Sequence, residues 1–556
     1  MRELTNMAQS TLTPRPTAAG IARNAALVIG LLAFAKLFGL VEKWVGLDRF
    51  GVGSAWDTYT AANLIPEQLF NLIAGGALAY AFIPIFGTFL AKEDREGAWR
   101  LASNVLNTVF LVALILSIFV FLFAPWVAGL IAPGFKSPYV DLSRPLDNAF
   151  ISTLLHPDKI MQTANLMRIL LFSLLIFSIS GLTTGILHTH QRFLLPTLAP
   201  ILFDAGNLFG VAVLARYFGV YGAAMGAVVG AALHFGIQVP GLIHVRAKWR
   251  PLLNWRDPAL RQVIALMIPR ALGLALINFN AFVAISLASR LEAGSVASYN
   301  RAWSLMQLPE TLIGTAMGIV IFPTLATLSA AGDLRGKRDA MSGALRFILI
   351  ASIPAAVAML VAGRPVVGIL EGGAFDTESA ARVFRVLQFF ALAIVTHSAV
   401  EIVARSFYAD KDTITPLWIA LITAAVNLVL ALILIQQFQV AGLALANSLA
   451  VGVELLALIV ILRRRWQGIN ESLLITTALK ALIASIVMGV VMAIISAMFD
   501  RFAPGTGRIM LMARAATEVG LGVIVYLAMA LLLRMNEVRE LPGLILRRRA
   551  AVVAAE

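Results

Sequence analysis

The chain has 556 residues, of which 60% are apolar and 13% charged, with mean hydropathy +0.86, net charge +14 and no cysteine. A soluble domain this apolar would lack the polar surface to cover its core, so the composition suits the bilayer as solvent and excludes disulfide and thiol chemistry. The cations lie beside the ends of apolar runs in short loops, which excludes a nucleic-acid reading of the high pI.

Residues 1–20 are polar and mixed, with no short apolar run ending in a small-residue cleavage site. The apolar run from Ile21 is therefore predicted as a retained span rather than a signal. Apolar stretches of about 20 residues, the length that crosses a bilayer, centre near positions 30, 75, 112, 175, 205, 230, 278, 315, 352, 393, 425, 452, 485 and 522. That predicts an all-α polytopic membrane protein of fourteen transmembrane helices.

Ionisable groups inside spans are costly in hydrocarbon and mark candidate functional positions. The first span carries Lys36 mid-helix, with Glu42 and Lys43 near its outer end. The second carries Asp57 and Glu67, is broken by Pro66 and is loosened by Ala74-Gly75-Gly76-Ala77. Freed backbone is tolerated at membrane depth only where protein or a water-filled cavity satisfies it. Lys36, Asp57 and Glu67 are accordingly predicted to line a cavity. Arg168 falls in the fourth span and Asp204 in the fifth, and the segment 136–159 between the third and fourth is an insertion with no assigned structure. Residues 246–261 read as a cytoplasmic linker, Arg270 lies near the inner end of the seventh span, and the eighth carries Arg301, Pro309 and Glu310. Arg290 and Arg364 are expected to snorkel to the interface.

His397 and Glu401, four apart on one face of the tenth span, read either as a proton relay or as a buried hydrogen-bonded pair. Asn427 in the eleventh span and its counterpart Asn207 read as interhelical hydrogen bonds or a cation site. Glu454, Lys480 and Glu518 occupy the twelfth to fourteenth spans, and a basic tail, 536–556, closes the chain.

The sequence is written twice. Pro66-Glu67-x-Leu69 recurs as Pro309-Glu310-x-Leu312, each followed by an apolar-Pro step at Pro84 or Pro323 and then a Thr. Pro196/Pro416, Asn207/Asn427 and Gly222/Gly442 share one offset of 220 residues. Six spans fall in each copy, so both copies enter the membrane from the same side and the repeat is parallel. The predicted organisation is a tail (1–20), an N-lobe of six helices (21–245), the linker (246–261), a C-lobe of six helices (262–466), two further helices (467–535) and the tail (536–556). Pro66, Gly75, Gly76 and Pro309, with Glu310 beside it, are predicted gating or hinge positions, as are Pro84 and Pro323. Lys and Arg collect on the N-terminal side of the membrane, including Arg463-Arg464-Arg465 and Arg547-Arg548-Arg549, which predicts both termini in the cytoplasm.

Enzyme chemistry has little footing: the sequence holds no metal-spaced His/Cys cluster, P-loop or Ser/His/Asp constellation. A transporter without an ATP-binding domain is passive or draws on a Na+ or H+ gradient or the membrane potential, with no cofactor. An intramembrane transferase using Asp57 and Glu67 is the enzymatic alternative.

The stretches WDTYTAANLIPEQLFNLIAGGALAYAFIPIF, APWVAGLIAPGF, GILHTHQRFLLPTLAP and VASYNRAWSLMQLPETLIGTAMGIVIFPTL, in that order and spacing, resemble the MurJ (MviN) lipid II flippase family over about residues 22–535. The resemblance implies two six-helix lobes facing a central cavity, two added helices forming a groove for a lipid tail, and alternating access. It implies movement of an undecaprenyl diphosphate-linked peptidoglycan precursor across the bacterial inner membrane, with that precursor and membrane lipids as partners. It further implies arginines on the first, second and eighth helices that hold the diphosphate. Here Lys36 takes the first such position, Glu42 stands at a second, Phe70 and Asn71 replace a basic pair, and Trp303 and Ser304 replace Asp-Arg. Lys36 and Arg301 are therefore the expected head-group contacts, with Asp57 as partner and gate and Glu67 serving the switch. Export of another polyprenyl-linked oligosaccharide, cation-coupled drug export and a non-transporting membrane scaffold are the alternatives.

Overall fold

A computed structural model describes residues 38–39, 41–73, 77–135, 159–190, 192, 194–502 and 507–535, with the backbone alone for 70–73, 77–80, 269–278 and 319. Lys36, Gly75, Gly76 and most of the 136–159 insertion lie outside these residues.

The described chain is helical. In order it forms α1 (41–50), α2 (Ser54–Ile73), α3 (Ala77–Ala91), α4 (Arg95–Leu122), α5 (Ala124–Ile131), α6 (Lys159–Thr189), α7 (Leu194–Phe218) and α8 (Val220–His244). It continues with α9 (Pro258–Ala288), α10 (Ser295–Glu310), α11 (Ala316–Ala330), α12 (Leu334–Gly368), α13 (Thr377–Ala409), α14 (Ile414–Phe438), α15 (Val440–Trp466), α16 (Glu471–Phe502) and α17 (Arg508–Leu532). Eleven of the described helical stretches are long and apolar enough to cross a membrane, and they coincide with the third to sixth and eighth to fourteenth predicted spans. The second predicted span falls on α2 and α3 and the seventh on α9. The fold is that of a multi-pass membrane protein, with Ile422, Val429 and Ile433 of α14 exposed along one side as a lipid-facing surface requires.

The duplication reaches into local chemistry. Asp94 and Asp333 each accept the amide three residues on, from Gly97 and Gly336, at 2.8 Å, and so cap α4 and α12. A Cβ at either glycine would collide with the capping carboxylate. Thr88 and Thr327 each donate to the carbonyl of the proline four residues earlier, Pro84 and Pro323. Each is a threonine hydroxyl bonding back one turn down its own helix, repeated at the same offset from the two prolines.

Two compact units arise. One comprises Pro66–Leu122, Arg168–Ala271 and the described residues before Leu47; the other comprises Leu47–Ile65, Phe123–Met167 and the described residues from Leu272 onward. These boundaries cut across the predicted lobes, because first-copy residues near 47–65 and 134 bond to second-copy loops. One boundary, Ile65/Pro66, falls on the predicted Pro66 hinge.

In the first unit α7 and α8 meet backbone to backbone. Gly206 and Gly210 face Gly230 and Gly226, and a Cβ on any of the four would lie within 2.5 Å of the opposing main chain. Small residues at four-residue spacing are what such contact needs in a membrane. Ser180, His234, Gln238 and Thr184 form a chain of hydrogen bonds between α6 and α8.

In the second unit α13 packs against α10, α12 and α15, and α12 also packs against α16 and α17. Phe407, Met341, Leu458, Leu462 and Trp466 form a core at the Ala409 end of α13. There Asp410 accepts from Lys337 Nζ (2.6 Å), Ser329 Oγ (2.5 Å) and Trp466 Nε1 (2.9 Å). Next to it Asp412 takes Arg465 Nη1 and caps α14 through the amides of Ile414 and Thr415. Burial pushes both carboxyls up, but the donors outweigh it: Asp410 is held below its usual value, and Asp412 falls from 3.8 to about 2. A folded-state value below the unfolded one means stability that is complete above the unfolded value and is lost as pH falls through the folded value. Thermal unfolding in detergent should therefore lose stability between about pH 4 and pH 2, and Asp412→Asn should flatten that slope. An unchanged slope would remove Asp412 from the account.

Candidate functional site

Asp57 lies in the first turn of α2 with its side chain 1% exposed. Both carboxylate oxygens are engaged by another helix: Oδ2 accepts from the Gly294 amide at 2.5 Å and Oδ1 from the Ala297 amide at 2.8 Å. The start of α10 has no side-chain cap of its own. Its unpaired amides, and the positive end of its dipole, are met by an aspartate 237 positions earlier in the chain. Gly294 has φ +91°, and a Cβ there would sit 2.0 Å from the Val52 carbonyl oxygen, so this approach requires glycine. Lys159 and Arg382 are the cations acting on Asp57, and Arg382 also donates to the Ala293 carbonyl at 2.6 Å.

The same end of the unit holds further contacts between first-copy and second-copy segments. The Ala374 amide donates to the Asp48 carbonyl at 2.7 Å. Arg508 bonds the Asp48 carboxylate (3.2 Å) and the Glu371 carbonyl (3.0 Å). Gly134 N donates to Ser289 Oγ at 3.2 Å. Arg364 pairs with Glu371 at 2.7 Å. Together these contacts, called the latch below, join first-copy to second-copy segments at one end of the helices.

Arg301 is buried in α10, seven residues and about 10 Å along the axis from Gly294. Trp303 packs edge-on against Phe390 and His397 of α13. Helix α10 ends on Pro309-Glu310, and the next five residues, Thr311–Thr315, form a π turn. Proline lacks the amide that the preceding turn needs, and the ladder re-registers one residue later. The predicted irregularity at Pro309 is thus present in the backbone. Glu310 receives long hydrogen bonds from Thr311 (3.3 Å) and Thr315 (3.4 Å).

The remaining predicted residues are dispersed. Glu67 is exposed, ten residues along α2 from Asp57, which is about 15 Å; the Lys43 charge acts on it. Asp57 belongs to the second unit and Glu67 to the first. Pro66 is buried, and α2 runs through it unbroken. His397 and Glu401 are not bonded to each other: His397 Nε2 meets Asn447 Oδ1 at 3.2 Å, while Glu401 pairs with Arg405 at 2.9 Å. Asn427 donates to Asn280 of α9 at 3.1 Å, an interhelical bond. Among the described residues no group of three or more His, Asp or Glu is placed to hold a metal ion.

Of the latch residues, the sequence singles out Asp57 and Arg364. Gly129-Leu-Ile-Ala-Pro-Gly-Phe135 and Gly368-Ile-Leu-Glu-Gly-Gly-Ala-Phe375 are a further repeated pair, each ending in a buried Phe. That pair is the signal that would have located it.

Residues 48–512 match the family described as "Lipid II flippase MurJ". The chain belongs to the MurJ family. The match begins at Asp48 and passes Arg508, so it contains the whole latch. A probable lipid II flippase MurJ of Rhizobium meliloti (strain 1021) is 28% identical over 480 residues, 84% of this chain and 85% of its own length. The fold matches a solved structure titled "Lipid II flippase MurJ, inward closed conformation", with TM-score 0.74, 20% identity and coverage of 92% of this chain and 99% of the other. A multidrug resistance MATE family transporter of the MOP superfamily, in an inward-facing conformation, matches with TM-score 0.63 and 15% identity over 78% of this chain and 95% of its own. The MurJ fold thus agrees with the helical, duplicated transporter read from sequence.

Proposed function

We propose that this protein moves lipid II, the undecaprenyl diphosphate-linked peptidoglycan precursor, across the bacterial inner membrane by alternating access. The observation that carries the proposal is the Asp57 cap on α10, lying within a family match over residues 48–512. An acid on the first copy of the repeat holds the second copy's helix by its amide end. Releasing that one carboxylate frees two backbone donors together, which suits a two-state latch. With both termini cytoplasmic, as the Lys/Arg bias supports, the latch lies on the outer side and the closed end faces away from the supply of precursor.

Lys36 and Arg301 are the proposed head-group contacts. Coupling to a Na+ or H+ gradient, or to the membrane potential, belongs to the same proposal, with Asn427 beside Asn280, His397 beside Asn447 and Glu401 as the groups it would use. A different polyprenyl-linked glycan is the second reading, favoured by Trp303, whose indole sits on Phe390 and His397 and brings no charge to a diphosphate.

The test is rescue of a bacterium depleted of its own flippase, with leaflet accessibility of lipid II as readout. Wild-type chain should restore outer-leaflet lipid II. Arg301→Ala should lower flipping roughly 10- to 100-fold, the worth of one charge-assisted contact, with Arg301→Lys retaining part. Failure of the wild-type chain would overturn the cargo; full activity of Arg301→Ala would overturn the site.

A further inference from the structure

In the unit containing α4 and the start of α9, an apolar cleft of about 310 Å³ lies between these helices. Val109, Val112, Leu260, Ile264 and Ile268 line it, together with Trp255. Its volume is that of a small-molecule pocket. Val112, Ile268 and Trp255 are exposed, so the cleft opens sideways, toward lipid for a membrane-spanning helix pair.

A strap is bonded to α4 just before the cleft-lining residues begin. The segment 248–254 is held to α4 by side chains that bond its main chain. Asn104 pairs in both directions with the backbone of Asn254 (2.9 and 2.8 Å), and Asn107 donates to the carbonyls of Arg250 and Leu252 (2.9 and 2.8 Å). Ser103 accepts from the Arg250 amide at 3.1 Å. Asn107 also accepts from the exposed Trp249 indole at 2.9 Å, and a second exposed indole, Trp255, follows the strap; tryptophan is enriched at the membrane–water boundary.

The rim is cationic. Residues 246–261 hold Arg246, Lys248, Arg250, Arg256 and Arg261 against the single acid Asp257. Arg250 is paired with Glu96. Neither Arg256 nor Arg261 is in an ion pair among the described residues, and Arg261 Nε donates to the Trp255 carbonyl at 3.1 Å, which fixes its guanidinium at the indole end of the cleft.

From an apolar slot open to lipid, an interfacial indole and the Arg261 guanidinium at one end, with Arg256 next to Trp255 in the chain, we infer a binding site for an anionic phospholipid. One acyl chain fills the cleft and the phosphate sits on Arg256 and Arg261. A neutral apolar molecule would leave the cations without a purpose, and a soluble anion would leave the slot without one. The bound lipid would fill the gap between α4 and the start of α9.

The test uses the full chain in phosphatidylcholine vesicles doped with phosphatidylglycerol that carries a diazirine on one acyl chain. Photolabelled peptides should contain residues 105–112 or 255–268. The double variant Arg256→Gln/Arg261→Gln should reduce that labelling roughly tenfold, as loss of two surface cations facing an anionic lipid implies. Val112→Trp, a change at an exposed wall position, should block labelling by filling the slot; should it aggregate, Ile268→Trp serves in its place. Three results would overturn the proposal: no label in these segments, equal labelling by diazirine-bearing phosphatidylcholine, or labelling insensitive to both kinds of variant. Displacement of the probe by undecaprenyl diphosphate but not by unlabelled phosphatidylglycerol would also overturn it, by assigning the cleft to the isoprenoid.

Discussion

A cysteine placed at Ser295 should be inert to a membrane-impermeant maleimide in the parent protein and should react once Asp57 is changed to Ala. The chain has no cysteine of its own, so a single thiol gives a clean report. Ser295 is 3% exposed and lies in the first turn that the Asp57 carboxylate caps. Removing the carboxylate orphans two amides at a helix start and discards a charge that complements the helix dipole. Loss of a cap of this kind costs about 2–3 kcal/mol, which shifts the closed-to-open ratio roughly 30- to 150-fold. Flipping should fail with it, because alternation needs both states populated. Asp57→Asn keeps one acceptor and should retain partial activity. Gly294→Ala approaches the same latch from the other side, since its Cβ would meet the Val52 carbonyl at 2.0 Å and its φ of +91° would be strained. Both variants should expose Ser295Cys. Full protection in both would mean that the Asp57 contact does not hold the closed state.

What could be read from sequence follows from the range over which each interaction acts. Span positions, the two-copy pattern and the irregularity at Pro309 depend on composition and on proline's missing amide, both local properties. They reappear as helices, matched Asp94 and Asp333 caps and the Thr311–Thr315 π turn. Pro66 and Asp57 are unusual residues in a span, and Pro66 coincides with a boundary between units. Their partners could not be found the same way. An acid in the first turn of a helix looks like a cap for its own helix, and nothing near Asp57 announces Gly294. His397 and Glu401 show the converse failure. Their spacing does place them on one face of α13, but each finds a nearer partner, one on α15 and one a turn further along α13. Helix periodicity orders residues on a surface; it does not say which neighbouring helix will arrive there.

Replacement of Gly226 by Leu should prevent the first unit from packing, the largest stability effect expected of any single change here. A Cβ at Gly226 would lie 2.4 Å from the Gly210 Cα and 2.9 Å from the Gly206 carbonyl oxygen, and a Cβ at Gly210 would lie 2.5 Å from the Gly226 Cα. Every opposing atom is main chain, so no rotamer change on the far side can make room. Helices in lipid gain little from apolar burial and depend on close van der Waals contact. Forcing α7 from α8 therefore removes the interaction that joins them. Overpacking costs about 1–3 kcal/mol where side chains can yield, so a backbone-to-backbone clash should exceed about 3 kcal/mol for Leu, with Ala intermediate. Gly236→Ala is the matched control, because a Cβ there meets nothing within 4 Å; it should be neutral or stabilise slightly by restricting the unfolded chain. Thermal unfolding in detergent reads all three. A Gly226→Leu protein that melts with the parent would show that α7 and α8 do not meet at their backbones. A parallel loss in Gly236→Ala would show that the glycines matter through flexibility rather than through proximity.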